Sequence, residues 1–159
     1  MDKTYADTVR LLLAVAPDVF ANDIFAMKGG TAINLFVRDM PRLSVDIDVV
    51  YLPWQTPRDE ALQAINQELA AIATRVAPLG VQTRLVRAKD LGDTKLIVEN
   101  DASQVKIEVN VVFRGSVLPV ERWPLSAKTS DLFGVEFELP VLAPDELYAS
   151  KLVAVLDRQ

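Results

Sequence analysis

Residues 25–35 read FAMKGGTAINL and residues 42–48 read RLSVDID. In the first stretch a short apolar run ends at Gly29-Gly30, and residues 31–37 that follow suit a helix. In the second, polar and apolar side chains alternate over residues 43–51, which predicts a strand with Asp46 and Asp48 on one face. The local order is therefore strand, glycine turn, helix, strand.

The rest of the chain mixes helical and strand patterns, which predicts an α+β fold in a single domain over residues 1–159. The predicted segments are a helix over 3–15 closed by Pro17-Asp18, a helix from Pro57 to about residue 78, strands over 81–86, 95–98, 105–113 and 133–139, and a helix that opens at Pro144 and runs to the end.

Two absences in the composition exclude whole classes of chemistry. The 159 residues contain neither cysteine nor histidine, which excludes thiolate nucleophiles, cysteine-ligated zinc and serine–histidine triads. Any metal should be a hard cation held by oxygen, Mg²⁺ or Mn²⁺. The net charge of -5 argues against sequence-independent electrostatic binding to nucleic acid. No apolar run is long enough to span a bilayer, so a cytoplasmic location is expected.

The pair Asp46 and Asp48 is the first candidate site. Two carboxylates that project from one face of a strand repel each other, and a divalent cation would offset that cost. The alternative is that both simply line the solvent face of a half-exposed strand. Aspartate is disfavoured in strands, which favours the metal hypothesis.

The diglycine turn supplies the complementary part. Glycines let the backbone approach a bulky anion, and the following helix N-terminus offers free amides. The Thr31 hydroxyl and the Lys28 ammonium would add contacts to phosphate. An ordinary strand-to-helix turn is the alternative, since the motif matches neither the P-loop nor the dinucleotide fingerprint.

Two further residues are weaker candidates on pattern alone. Glu108, flanked by Lys106 and Asn110, would be a third carboxylate if its strand neighbours residues 43–51. It could equally form a cross-strand Glu–Lys pair on a solvent face. Lys151 is a candidate second phosphate ligand, although a lysine on an amphipathic helix is usually only solvated.

These motifs, in this order, resemble those of the AbiEii/AbiGii-type nucleotidyltransferase toxin family. The resemblance rests on residues 25–35 and 42–48, on Lys106-Ile107-Glu108-Val109, and on the helix of residues 145–158. It implies a polymerase-beta-like nucleotidyltransferase fold with a mixed sheet flanked by helices, in which a glycine turn holds the triphosphate and three carboxylates bind Mg²⁺. Family members are typically toxins of toxin–antitoxin or phage-defence systems, and some relatives transfer nucleotides to tRNA ends.

One departure from the family concerns the end of the chain. In the family, the lysine helix is usually followed by an Arg-Asp-x-x-Asp type motif and a C-terminal helical region. The sequence stops at Gln159, before that point, so we expect either a truncated sequence or a shortened protein.

We therefore expect a metal-dependent nucleotidyltransferase that acts on a nucleoside triphosphate and an RNA or protein hydroxyl, with an antitoxin as partner. The alternatives are a non-catalytic remnant that binds nucleotide or a partner protein, and a structural protein without a site. The expected catalytic residues are Asp46, Asp48, Glu108 and Lys151, the first three as metal ligands, and the expected nucleotide-binding residues are Lys28, Gly29, Gly30, Thr31, Ser44 and Lys106.

Overall fold

A computed structural model describes residues 2–37, 45–89 and 92–157, apart from the side chains of Asp93 and Ala154. The described residues form one mixed seven-stranded sheet with helices, which confirms the predicted fold class. The strands are β1 (Phe25–Lys28), β2 (Ile47–Tyr51), β3 (Gln82–Ala88), β4 (Gly92–Glu99), β5 (Gln104–Asn110), β6 (Glu121–Pro124) and β7 (Glu138–Val141). The helices are α1 (Lys3–Val19), α2 (Gly29–Ala32), α3 (Arg58–Val76), α4 (Ala127–Phe133) and α5 (Pro144–Asp157).

The sheet has the order β3-β4-β5-β2-β1-β7-β6. Strand β2 lies between β1, to which it is antiparallel, and β5, to which it is parallel. The three strands that carry the predicted motifs are therefore immediate neighbours, as the assignment of Glu108 requires.

The hydrophobic core lies between one face of this sheet and helices α1 and α3. Alternate side chains of β4 and β5 are buried on that face, among them Leu96, Val98, Val105 and Ile107. Helix α3 packs mainly on β4, and α1 on β5. The opposite face of β5 carries the exposed side chains Lys106 and Glu108, so the helix layer leaves the predicted site uncovered.

Most predicted segments have somewhat different bounds in the structure, and three of the differences lie near the predicted site or in the first helix. Helix α1 continues through Pro17 to Val19, because the buried side chains of Val15, Ala16 and Val19 keep the last turn in the core despite the missing amide. Residues 31–37 form the end of α2 and a π-helical turn, Ile33–Val37. Strand β2 begins at Ile47, so Asp46 precedes the strand; Leu43 and Ser44 lie outside the described residues.

Strand β5 ends at Asn110 rather than at Phe113 because of a side-chain cap. The Asn110 Oδ1 atom accepts hydrogen bonds from the backbone N–H of Val112 and of Phe113, both at 3.0 Å. This Asx turn bends the chain away from the sheet.

The prediction of a strand over residues 133–139 was wrong over most of its length. Helix α4 occupies residues up to Phe133, and β7 begins only at Glu138. Ser126 caps the start of α4 by accepting from the Thr129 amide, and Gly134 ends it in a left-handed conformation, φ 64°. Over the described part of the chain, no helix combines the length and apolar character needed for a membrane span.

Candidate active site

Four charged residues occupy one row across the middle of the sheet. Lys28 on β1 pairs with Asp48 on β2, Asp48 pairs with Glu108 on β5, and Glu108 pairs with Lys95 on β4. Residues paired in this way project from the same face of a sheet. The chain thus places charges in the order positive, negative, negative, positive on the face opposite the helix layer.

This row forms the floor of an open cleft of about 470 Å³. Its lining residues come from β1 to β5 and from the turn after β5: Lys28, Asp48, Val49, Ala88, Thr94, Lys95, Glu108, Val109, Asn110, Val111 and Val112. The cleft therefore combines a charged floor with a small apolar wall, a composition suited to an anionic ligand that also carries an apolar ring.

The diglycine turn lies directly against one of these carboxylates. Gly29 has φ 82°, and a Cβ atom built on it would lie 2.6 Å from Oδ2 of Asp48. Only glycine fits here, because a side chain would collide with the carboxylate and would also have to adopt a left-handed backbone. The turn thus lies against Asp48, one of the two aspartates predicted to act with it.

The electrostatic environment of Asp48 disfavours its ionised form. Burial raises the pKa of the Asp48 carboxyl above its ordinary value, the negative charges of Glu108 and Asp46 raise it further, and the Lys28 ammonium lowers it only in part. The site therefore holds more negative charge around Asp48 than Lys28 compensates, which is the situation that a bound cation relieves.

Glu108 has the neighbours that each of its two predicted roles requires. It lies beside Asp48, as a third carboxylate should, and it also forms a cross-strand pair with lysine. The partner is Lys95, whose Nζ lies 3.5 Å from Oε1 of Glu108, rather than Lys106. The side chains remain 39% and 48% exposed, so this pair is open to the cleft and not a buried structural bridge.

Asp46 is exposed and lies just outside the cleft, close enough for its charge to act on Asp48. Within residues 2–37, 45–89 and 92–157, no three acidic side chains are grouped tightly enough to hold a metal ion between them. The assignment of Asp46, Asp48 and Glu108 as metal ligands stays a prediction.

The other predicted residues lie in different surroundings. Gly30 is exposed beside the cleft, whereas the Thr31 side chain is fully buried. Lys106 is exposed on the same side of β5 as Glu108, and Lys151 is exposed on α5; neither is among the described residues that line the cleft. Ser44 lies outside the described residues.

Sequence patterns missed Thr94, Lys95 and the cap formed by Asn110. Lys95 opens the predicted strand 95–98, but its place beside Glu108 depends on the register between two strands, which alternation alone does not fix. The Asn110 cap could have been inferred, since asparagine after an alternating strand often begins a turn.

The family described as nucleotidyl transferase AbiEii toxin, type IV TA system, matches residues 10–159, almost the whole chain. The chain belongs to the AbiEii nucleotidyltransferase toxin family. Among curated proteins, none matches the sequence.

Among solved structures, the AbiEii-family chain is similar to MenT4, a nucleotidyltransferase toxin from Mycobacterium tuberculosis H37Rv. The TM-score is 0.61 at 22% sequence identity, over 95% of this chain and 54% of that one. At this identity the likeness shows the shared fold. The chain spans about half the length of MenT4.

Proposed function

We propose that this AbiEii-family chain is a metal-dependent nucleotidyltransferase that transfers a nucleoside monophosphate from a nucleoside triphosphate to a hydroxyl of RNA or protein. The observation that carries the proposal is the contact between the Gly29 turn and the Asp48 carboxylate on the floor of the cleft. Phosphates on the turn would lie beside the acidic floor, which is the arrangement that phosphoryl-group transfer requires.

The chain's own residues would hold the triphosphate at the turn. Gly29 and Gly30 leave the backbone amides open to close approach, and Lys28, which lines the cleft, adds a positive charge. Because Thr31 is fully buried, we assign its side chain to the packing of α2 and leave the phosphate contacts to the backbone and to Lys28.

The donor atoms present fit Mg²⁺ or Mn²⁺. Both ions prefer carboxylate oxygen, and Mg²⁺ in phosphate-transfer sites is commonly held by one or two carboxylates, with substrate phosphates completing the coordination. Asp48, with Asp46 or Glu108, would provide the carboxylates. When bound, such an ion neutralises the charge that develops on the phosphates.

In the reaction, an acceptor hydroxyl attacks the α-phosphorus, the bond between the α- and β-phosphates breaks, and pyrophosphate leaves with the electron pair. The acceptor proton passes to a carboxylate. We assign this role to Glu108, because its side chain is half-exposed and lies on the cleft floor. Catalysis by this chain would therefore consist of positioning and electrostatic stabilisation, with no covalent intermediate.

We further propose that residues 1–159 act as one domain in the cytoplasm. We also propose that the activity is toxic unless a partner antitoxin inhibits it, and that the pair acts in defence against phage. Membership of a toxin family of a type IV toxin–antitoxin system supports the antitoxin. Lys151 is exposed on α5, which packs on α2, and its proposed role on the triphosphate requires a ligand that extends beyond the cleft.

The test is transfer of label from the four α-³²P-labelled triphosphates, with Mg²⁺, to RNA and to protein. We expect Asp48→Asn to lower the rate by roughly a hundredfold or more, the scale at which loss of one preorganised charged group acts. Asp101→Asn, the same change in an exposed turn, is the matched control and should be fully active. An active Asp48→Asn variant would remove the metal assignment, and triphosphate binding without transfer would favour a non-catalytic binding module.

A further inference from the structure

Among the described residues that line the cleft, two carry a positive charge. Lys28 stands on β1 beside the diglycine turn, and Lys95 stands on β4 at the other end of the charged row. Asp48 and Glu108 lie between them. An anion that enters this cleft meets carboxylates on the floor, and a positive group on each side of them would offset their repulsion.

The ion pair between Lys95 and Glu108 is weak enough for the Lys95 ammonium to bind another anion. The two atoms are 3.5 Å apart and both side chains are more than a third exposed, so water screens the attraction. A triphosphate carries several negative charges and more acceptor oxygens than one carboxylate. The ammonium can therefore exchange Glu108 for phosphate at little cost.

The backbone of Lys95, in contrast, is firmly held. Strand β4 is paired on both sides, with Lys95 opposite Val86 of β3 and Glu108 of β5. At the start of β4, Gly92 lies in contact with the Asn66 side chain of α3, which fixes the strand on the helix layer. The long lysine side chain can therefore reach a ligand while its point of attachment on the strand stays in place.

From this placement we infer that Lys95 binds the phosphates of the nucleotide, from the end of the charged row opposite Lys28, and leaves Glu108 when it does so. This inference rests on the proposed function. Lys95 would be a second binding residue for the triphosphate, and its departure would free the Glu108 carboxylate for its own role.

The test uses inorganic tripolyphosphate with Mg²⁺, which needs no knowledge of the base, and measures its Kd by calorimetry. We expect Lys95→Gln to raise the Kd roughly tenfold, the scale of one lost charge-assisted contact, and to reduce the dependence of binding on salt. Lys128→Gln, the same change at an exposed position on α4, should bind like the wild type.

Two further variants test whether Lys95 contacts phosphate itself or only shields the charge of Glu108. If Lys95 contacts phosphate, Lys95→Gln should weaken binding as much in a Glu108→Gln background as alone, and Lys95→Arg should restore most of it. If Lys95 only shields Glu108, the effect disappears in that background and the inference is overturned. Equal Kd values for wild type and Lys95→Gln overturn it too, without touching the proposed function, whereas a wild type that binds no tripolyphosphate rejects both.

Discussion

Replacement of Gly29 should affect ligand binding more strongly than it affects the stability of the fold. Alanine there must adopt φ near 82° and place its Cβ atom against Oδ2 of Asp48. We expect Gly29→Ala to lower the free energy of unfolding by about 1–2 kcal/mol for the backbone alone, to displace the carboxylate, and to weaken tripolyphosphate binding roughly tenfold or more. Urea denaturation and calorimetry measure the two effects.

Gly80→Ala is the matched control for that experiment. Gly80 has φ 75°, and no atom lies within 4 Å of the position of its Cβ. The substitution should therefore cost a similar backbone strain, about 1 kcal/mol, and leave ligand binding unchanged. If both variants bind the ligand like the wild type, the diglycine turn does not hold phosphate.

Asp48 should destabilise the fold in a manner that depends on pH. Because its pKa is raised in the folded chain, mainly by burial and then by Glu108 and Asp46, the folded state binds this proton more tightly than the unfolded state. The contribution of Asp48 to stability therefore falls as the pH rises from the ordinary carboxyl pKa through the raised one.

Asp48→Asn should consequently be more stable than the wild type at neutral pH, because the uncharged amide avoids the cost of a partly buried charge beside Glu108 and Asp46. The gain should shrink as the pH falls through that window. Urea titrations of both proteins at several pH values give the difference, with Asp101→Asn as the reference for the same change at an exposed position. A gain that is constant with pH would contradict the charge explanation.

At the scale of elements, a buried polar cluster joins α3 to the end of α1, on the side of the sheet away from the cleft. The Arg75 guanidinium binds the Glu68 carboxylate and donates from Nε to the backbone oxygen of Asp18 at 3.0 Å. The other Glu68 oxygen accepts from Nδ2 of Asn22 at 2.8 Å. The Glu68 side chain is only 8% exposed, so it depends on these partners.

Arg75→Met should therefore lower the free energy of unfolding by roughly 3 kcal/mol, since it leaves a buried carboxylate without its cation. The double variant with Glu68→Leu should recover most of that loss, because no buried charge then remains. Both should keep tripolyphosphate binding, because the cluster is remote from the cleft. A double variant that is as unstable as the single one would show that packing by Arg75, and not the charge, is what matters.

Local chemistry determined how much of each element could be predicted. The turn at Gly29 and the alternation around Glu108 could be predicted because each depends only on consecutive residues. In the structure, the strands that carry them both pair with β2. Helix α4 was missed although Ser126 and Gly134 mark its two ends, because its seven residues are too few for a helical period to emerge. The strand over residues 105–113 was extended too far because the Asn110 cap was overlooked.

The site was harder to predict than the elements for a different reason. Asp46 and Asp48 are close in sequence, but the contact of Gly29 with Asp48 and the pairing of Lys95 with Glu108 are tertiary. The register between β4 and β5 depends on the turn that joins them, and the position of Gly29 against β2 depends on the packing of the sheet; the alternation of side chains specifies neither. The alternation of its strand already made Glu108 a candidate and the family resemblance agreed, whereas Lys95 emerged only from the structure.

At the scale of the whole molecule, the cleft is lined from five strands that lie far apart in sequence, from Lys28 on β1 to Asn110 on β5. A ligand held across this floor contacts the middle of the sheet and should bind only the folded chain. Binding must then raise the stability of the entire fold, by about 2.7 kcal/mol when the free ligand is at a hundred times its Kd.

For a chain of 159 residues, that linkage corresponds to an increase in Tm of roughly 5–10 °C. We expect this increase with tripolyphosphate and Mg²⁺ together and a much smaller one with either alone, because the acidic floor repels phosphate until a cation neutralises it. Asp48→Asn should lose most of the increase, and sodium sulfate at equal ionic strength controls for general salt effects. A wild-type Tm that does not respond to the pair would mean that the charged row is only a sheet surface, since a ligand that binds the folded state alone cannot leave Tm unchanged.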